Sequence, residues 1–250
     1  MQAQILSYNV QDLYSVKFFA DELNSRPDFH IYTNSNSRAI DVLIFFDSRG
    51  VSSSFEHSIV DRIINSVRHE QKFLLVARPL EITTWMTLYN FMKMNDITPK
   101  KVVTNMGFVD FTPKKMSIIE KSLIQYNYYF SQDQAQIEFL EHYNSIDNTT
   151  LDLYVQDYPD SFKSEFESSF QDVLFLIINS PELAEDYEFS RPRPQSFFKG
   201  LQKGNDFNRE FHLRKEVFDF KNFTTEETYD GVHYTNKGNE LIFSALSPFL

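Results

Sequence analysis

Three residues with the chemistry of acyl transfer lie far apart in this chain. Ser48 follows a short apolar run, whereas Asp230 and His233 lie three positions apart near the C-terminus. In a turn or a first helical turn, this spacing lets the carboxylate orient the imidazole. Such an imidazole can take a proton from a serine hydroxyl and later return it to a leaving group. The residues predict a proton relay, while the plain alternative is that Ser48 caps a following helix.

The surrounding pattern predicts an α/β fold with a mostly parallel sheet. Short apolar runs alternate with amphipathic ones, and runs such as VLIFF and VLFLII are apolar throughout, as in strands covered on both faces by helices. Ligands of such sheets bind at the carboxyl ends of the strands, where Ser48 would lie. The predicted strands are Gln4–Val10, Phe29–Tyr32, Asp41–Phe46, Lys72–Ala77, Lys101–Met106, Val173–Asn179 and Glu216–Phe220.

The remaining segments complete a single domain over residues 1–250. Residues 1–40 predict a β-α-β extension that adds an outer strand or contacts another subunit, and residues 130–167 predict a helical insertion. Residues 180–206, which contain Gly200 and Gly204, predict the longest loop. Apolar positions three and four apart predict helices over Phe55–Val67, Thr83–Met94 and Lys114–Tyr128, and an apolar helix that runs to the C-terminus.

Composition excludes several classes of function. The net charge of −11 and the pI near 5.0 disfavour binding to nucleic acid or to anionic membranes. The chain has no cysteine, which excludes disulfides, thiol nucleophiles and thiolate-bound metals. No cofactor and no metal site are predicted, because the other five histidines lack ligand spacing. Without a leader-like start or a long apolar run, we expect a cytoplasmic protein.

Three blocks of residues together resemble the SGNH hydrolases of the GDSL esterase and lipase superfamily. They are Phe46-Asp47-Ser48, Gly107-Phe108-Val109-Asp110 and Asp230-Gly231-Val232-His233, in the family's order. The resemblance implies a flavodoxin-like three-layer α/β/α sandwich. It also implies a serine esterase or O-acyltransferase that acts on an ester-linked acyl group, with carbohydrate acetyl esters among the candidates. Ser48 would be the nucleophile, His233 its base and Asp230 the residue that orients His233.

The sequence departs from the family on the oxyanion side. Val109 replaces the usual asparagine, and Arg78 follows a strand where a glycine is usual. Loss of one oxyanion donor typically costs on the order of 10² to 10³ in rate. The candidates to replace the missing donors or to contact substrate are Gly107, Asn105, Arg49 and Arg78.

Other interpretations stay open beside the enzyme. The departures suit a weak or inactive member of the fold that binds a glycan, an acyl ligand or a partner. Asp110 could instead cap the helix after Pro113, and Gly107 could serve only as a tight strand exit. Asp47 as a phosphorylated carboxylate has no supporting acidic pair. The aromatic residues Trp85, Phe197 and Phe198 could line an acyl or sugar pocket, although most aromatics pack cores.

Overall fold

In the computed structural model, the described residues are 6–7, 30–34, 39–51, 57–68, 70–77, 84–94, 96–108, 110–112, 158, 160–188 and 195–250. The predicted helix Lys114–Tyr128 and most of the predicted insertion over 130–167 lie outside these ranges, as do Arg78 and Val109. Within them, no helix combines the length and the apolar character that a membrane span requires.

One sheet organises the described part of the chain. Its strands lie in the order β1-β2-β4-β3-β5-β6-β7. The last five strands in this order, from β4 to β7, are joined by four parallel pairings. The parallel part therefore has the strand order 2-1-3-4-5, which is the flavodoxin-like order. The strands are β1 Leu6–Ser7, β2 His30–Thr33, β3 Val42–Phe46, β4 Phe73–Ala77, β5 Lys101–Thr104, β6 Leu174–Ile178 and β7 Lys215–Phe218. The predicted α/β class with a mostly parallel sheet is confirmed.

Helices cover both faces of this sheet. They are α1 Ile59–Ser66, α2 Trp85–Met94, α3 Asp160–Ser169, α4 Gln195–Glu210 and α5 Asn236–Leu246. Alternate residues of β3 enter two different cores: Leu43 and Phe45 pack with residues of α2, α3 and α4, whereas Ile44 and Phe46 pack with residues of α1 and α5. A strand buried on both faces must be apolar throughout, which explains the run VLIFF. The result is the predicted α/β/α sandwich.

The prediction of a loop over residues 180–206 is wrong in its second half. Helix α4 begins at Gln195 and contains both Gly200 and Gly204, which lie four residues apart on one helix face. A Cβ atom at Gly204 would collide with the Gly107 carbonyl oxygen, and one at Gly200 would collide with the Phe111 carbonyl oxygen. These glycines therefore allow the helix to pack directly on the backbone after β5, where sequence reasoning took them as loop signals.

The N-terminal extension adds strands to the sheet. Strand β2 pairs antiparallel with β4, and β1 pairs antiparallel with β2. The parallel pairings begin only with the run VLIFF, so the predicted nucleophile follows the first strand of the parallel part. Of the two roles considered for residues 1–40, the described residues show the sheet-extending one.

Candidate active site

Ser48 lies at the carboxyl end of β3, in a 3₁₀ turn over Ser48–Val51. The Gly50 N–H donates to the Asp47 carbonyl at 3.0 Å and closes this turn. A Cβ atom at Gly50 would lie 2.6 Å from the Phe46 Cβ, so only glycine lets the turn fold back on the strand. Ser48 is therefore presented by a tight strand exit. The helix-cap alternative is wrong for α1, because Ser58 caps that helix by accepting from the Asp61 N–H.

Asp230 and His233 lie in a short loop before α5. A bridge between Thr228 and Tyr234 closes the loop, and Gly231 adopts a φ of 80° within it. Asp230 Oδ1 accepts from the Val232 N–H at 3.0 Å and from the His233 N–H at 2.8 Å. One carboxylate oxygen thus holds the loop backbone, and the other is left for the imidazole.

The three predicted residues form a continuous hydrogen-bonded chain. His233 Nδ1 lies 2.9 Å from Asp230 Oδ2, and His233 Nε2 lies 3.3 Å from Ser48 Oγ. A carboxylate only accepts, so Nδ1 carries the proton and donates it to Asp230. Nε2 then has a free lone pair toward the Ser48 hydroxyl. This arrangement can remove a proton from Ser48 as its oxygen attacks an acyl carbon.

The electrostatics of Asp230 suit this role. Burial opposes the ionisation of Asp230, but the His233 ring and the loop N–H groups lower its pKa to about 2. The carboxylate is therefore ionised at neutral pH. It can stabilise the imidazolium that forms when His233 takes the proton from Ser48. Tyr229 packs against the imidazole with ring centroids 5.6 Å apart and ring planes 13° apart, so the ring has a neighbour on its face as well.

The side chains of Arg49 and Asn105, which were predicted as oxyanion donors or substrate contacts, both bind Asp47. Arg49 is 1% exposed, and its guanidinium binds the carboxylate of Asp47 through Nε and Nη2. The Asn105 side chain also binds Asp47, with Nδ2 donating to the carboxylate at 2.7 Å and Oδ1 accepting from the Asp47 N–H at 3.0 Å. Both side chains are directed at the residue before Ser48.

The Gly107 N–H is engaged as well. It donates to Asp110 Oδ2 at 2.9 Å, at a φ of 105° that favours glycine. Asp110 Oδ1 accepts from the Trp85 N–H at 2.9 Å and from the Tyr158 hydroxyl. Asp110 therefore connects this loop to the N-terminus of α2, a role the sequence did not indicate. Within the described part of the chain, the Ser48 N–H makes no hydrogen bond.

Several residues near the site were not predicted. Ser180 follows β6 and binds Arg49, and its position just after a strand's carboxyl end was the available signal. Phe108 lies over the Arg49 guanidinium, 4.1 Å from the ring centroid, and packs edge-on against Phe197. Together with Val232, the neighbour of His233, these rings form a small apolar cluster. Phe197 thus lies near the site, as considered, whereas Trp85 is a fully buried core residue.

No group of three His, Asp or Glu side chains suited to a metal ion is found among the described residues. The charged groups at the site are instead bound to one another in two pairs. Asp230 and His233 are bound to each other, and Asp47 is bound to Arg49. The arrangement supports nucleophilic chemistry by the protein's own side chains.

Comparison with known proteins gave structural matches only. No family model and no curated protein matches the chain. A Streptococcus pneumonia protein provisionally described as a platelet activating factor matches at 9% identity and a TM-score of 0.48, over 96% of this chain and 94% of that one. A family two carbohydrate esterase from Clostridium thermocellum, in complex with cellohexaose, matches at 12% identity and a TM-score of 0.42, over 86% and 65%. An acetyl xylan esterase from Butyrivibrio proteoclasticus matches at 10% identity and a TM-score of 0.39, over 88% and 65%.

Proposed function

We propose that the protein is an SGNH-type serine esterase or O-acyltransferase that acts on an ester-linked acyl group, including acetyl groups on carbohydrates. The observation that carries this proposal is the chain of two contacts from Ser48 through His233 to Asp230, at 3.3 and 2.9 Å. The sequence separations are 185 residues for the first contact and three for the second. A relay assembled across that distance, at the carboxyl end of the first parallel strand, is the expected form of a nucleophilic site.

The proposed reaction has the following order of bond changes. Ser48 Oγ attacks the acyl carbon while its proton moves to His233 Nε2, and Asp230 stabilises the imidazolium. The former carbonyl oxygen, now negatively charged, accepts a hydrogen bond from the Ser48 N–H. The carbon–oxygen bond to the alcohol then breaks, and His233 returns the proton to the leaving oxygen. Water or a second alcohol then attacks the acyl carbon and gives its proton to His233, the bond between that carbon and Ser48 Oγ breaks, and His233 returns the proton to Ser48. The product is that of hydrolysis with water and of transfer with an alcohol.

The test is covalent labelling with a fluorophosphonate. Attack by Ser48 Oγ forms an oxygen–phosphorus bond and expels fluoride, while His233 takes the proton. We expect one label per chain, on the peptide that contains Ser48, and none in Ser48→Ala. Ser244→Ala is the matched control, because Ser244 is exposed and its hydroxyl donates to the Glu240 carbonyl of its own helix. The absence of label on the wild-type protein, under conditions that label a known serine hydrolase, would refute the covalent mechanism.

A second candidate function follows from the oxyanion side of the site. Asn105 is turned toward Asp47, and the Gly107 N–H is bound by Asp110. Without these donors the transition state has little support, which favours a protein that binds an acylated ligand without turning it over. Such a protein would show no turnover on a panel of acetyl esters. Its affinity for an acetylated sugar would also be unchanged in Ser48→Ala, whereas an enzyme loses turnover in that variant.

A further inference from the structure

We propose that Arg49 is the positioning residue for the nucleophile, through a buried ion pair with Asp47 that fixes the turn carrying Ser48. This inference rests on the proposed function for its kinetic consequences. Arg49 and Asp47 flank Ser48 on either side, and they are 1% and 0% exposed. A buried charge pair needs well-placed hydrogen bonds to offset its desolvation, so its presence beside a nucleophile calls for a reason.

The ion pair holds the turn from both sides of Ser48. The Arg49 side chain donates from Nε to Asp47 Oδ1 at 3.1 Å and from Nη2 to Oδ2 at 3.0 Å. The Arg49 backbone N–H donates to the same Oδ1 at 2.9 Å. The backbone before and after Ser48 is thereby tied to one carboxylate. This fixes the direction of the Ser48 N–H and of its Cα–Cβ bond.

The same guanidinium ties the turn to two other strands. Arg49 Nη1 donates to Ser180 Oγ at 3.1 Å, just after β6, and Nη2 donates to the Asn105 carbonyl, just after β5. The Asn105 side chain binds Asp47 in return, at 2.7 Å to the carboxylate. The carboxyl ends of β3, β5 and β6 are therefore joined by one side chain, that of the residue after Ser48.

Charge balance is a second consequence of the pair. An unpaired carboxylate one residue before Ser48 would oppose the negative charge that develops as Ser48 attacks. Arg49 neutralises that carboxylate: burial opposes its own charge, but Asp47 raises the pKa of Arg49 above its ordinary value. Phe108 covers the guanidinium at 4.1 Å, and the Tyr234 hydroxyl lies beside it. The pair is thus shielded from water, and the exclusion of water strengthens its electrostatic effect.

Arg49→Lys separates position from charge. Lysine keeps the charge but lacks the planar fork that reaches a carboxylate, Ser180 and the Asn105 carbonyl together. A small misplacement of a reacting group costs as much as about 10²-fold in rate. We therefore expect Arg49→Lys to lower kcat on p-nitrophenyl acetate and the rate of fluorophosphonate labelling by roughly 10- to 100-fold, with KM within about 2-fold of the wild-type value.

Two further variants keep the test decisive. Ser180→Ala removes one contact of the guanidinium and leaves the ion pair, so it should fold and lower kcat by about 3-fold, a small part of that positioning effect. Arg209→Lys is the matched control, because Arg209 also pairs with several carboxylates, Asp219 among them, on the surface. The control should keep its kcat. Circular dichroism at the assay temperature shows what fraction of each variant is folded.

The outcomes are distinct for the two proposals. Wild-type kcat in both Arg49→Lys and Ser180→Ala, or a loss explained by unfolded protein, overturns the positioning role. If the wild-type protein is neither labelled nor active, the proposed function fails. Hydrogen–deuterium exchange at the Arg49 and Gly50 amides then tests whether the ion pair fixes the turn. Faster exchange in Arg49→Lys than in wild type supports the fixed turn, and equal exchange overturns it.

Discussion

The carboxylate of Asp230 offers the sharpest test of the relay, through the substitution Asp230→Asn. The carboxylate accepts from the Val232 N–H, the His233 N–H and His233 Nδ1 at 3.0, 2.8 and 2.9 Å. Asparagine has one oxygen, which can keep both backbone contacts. Its NH₂ group then faces His233 Nδ1, where a donor would meet a donor. To restore a hydrogen bond, the imidazole proton must move to Nε2, so Nε2 no longer accepts from Ser48.

Two magnitudes follow from this change. In triads of the same geometry, the wrong tautomer of the histidine costs about 10⁴ in kcat, and we expect a loss of that order. The free energy of unfolding should also change, because the pKa of Asp230 is about 2 in the folded protein and 3.8 in the unfolded chain. Because the pKa of Asp230 is lower in the folded state, its ionisation stabilises the folded protein at pH values above the pKa of the unfolded state. This contribution is lost as the pH falls toward 2. The linked free energy is about 2 kcal/mol at neutral pH.

The assay measures kcat on an acetyl ester and the free energy of unfolding in urea, at pH 7 and at pH 3. Asp230→Asn should reduce both quantities at pH 7, and the stability difference from wild type should shrink at pH 3. Asp206→Asn is the control, because Asp206 pairs with Arg209 on the surface, and it should keep kcat. An Asp230→Asn variant that retained a tenth or more of wild-type kcat would show that His233 does not depend on this carboxylate.

Three further predictions concern the structure around the site. Gly204→Ala should lower Tm, because a steric cost of ~1–3 kcal/mol against the Gly107 carbonyl exceeds the helix preference of alanine, about 1 kcal/mol. Asn208→Ala should lower the urea midpoint followed by fluorescence of the single tryptophan, since Trp85 Nε1 loses its acceptor at 2.8 Å, a loss of ~1–3 kcal/mol. Glu227 has a pKa lowered to about 2 despite burial, so wild-type stability should fall as the pH drops from 4.5 toward 2, and less steeply in Glu227→Gln.

Each of these predictions has a matched control at an exposed position. Gln202→Ala on α4 should leave Tm unchanged, Asn65→Ala on α1 should leave the urea midpoint unchanged, and Glu240→Gln on α5 should leave the acid profile unchanged. A Gly204→Ala protein as stable as Gln202→Ala would contradict the close packing of α4. Equal midpoints for the two asparagine variants would show that the Trp85 contact contributes nothing. Parallel acid profiles would remove the linkage assigned to Glu227.

Much of the fold could be predicted from local pattern. Strands β3, β4 and β6 are runs of apolar residues, and each was predicted to within one or two residues at its ends. The amphipathic spacing also located α1 and α2. Helix α4 could not be found in this way, because its glycines are normally signals of a loop. Their reason is a contact with the backbone of residues 107 and 111, which lie about ninety residues earlier in the chain.

The sequence alone predicted the order of the strands along the chain and the candidate residues Ser48, Asp230 and His233, because those features depend on residue type and local spacing. Only the tertiary structure decided the role of Arg49, whose partners include Ser180, 131 residues away. A guanidinium near a nucleophile can contact the substrate or hold the turn that carries the nucleophile. The amino-acid sequence is the same in both cases and does not distinguish these roles. Burial and the positions of Asp47 and Asn105 favour the second role, since the guanidinium is bound to those partners and Arg49 is only 1% exposed.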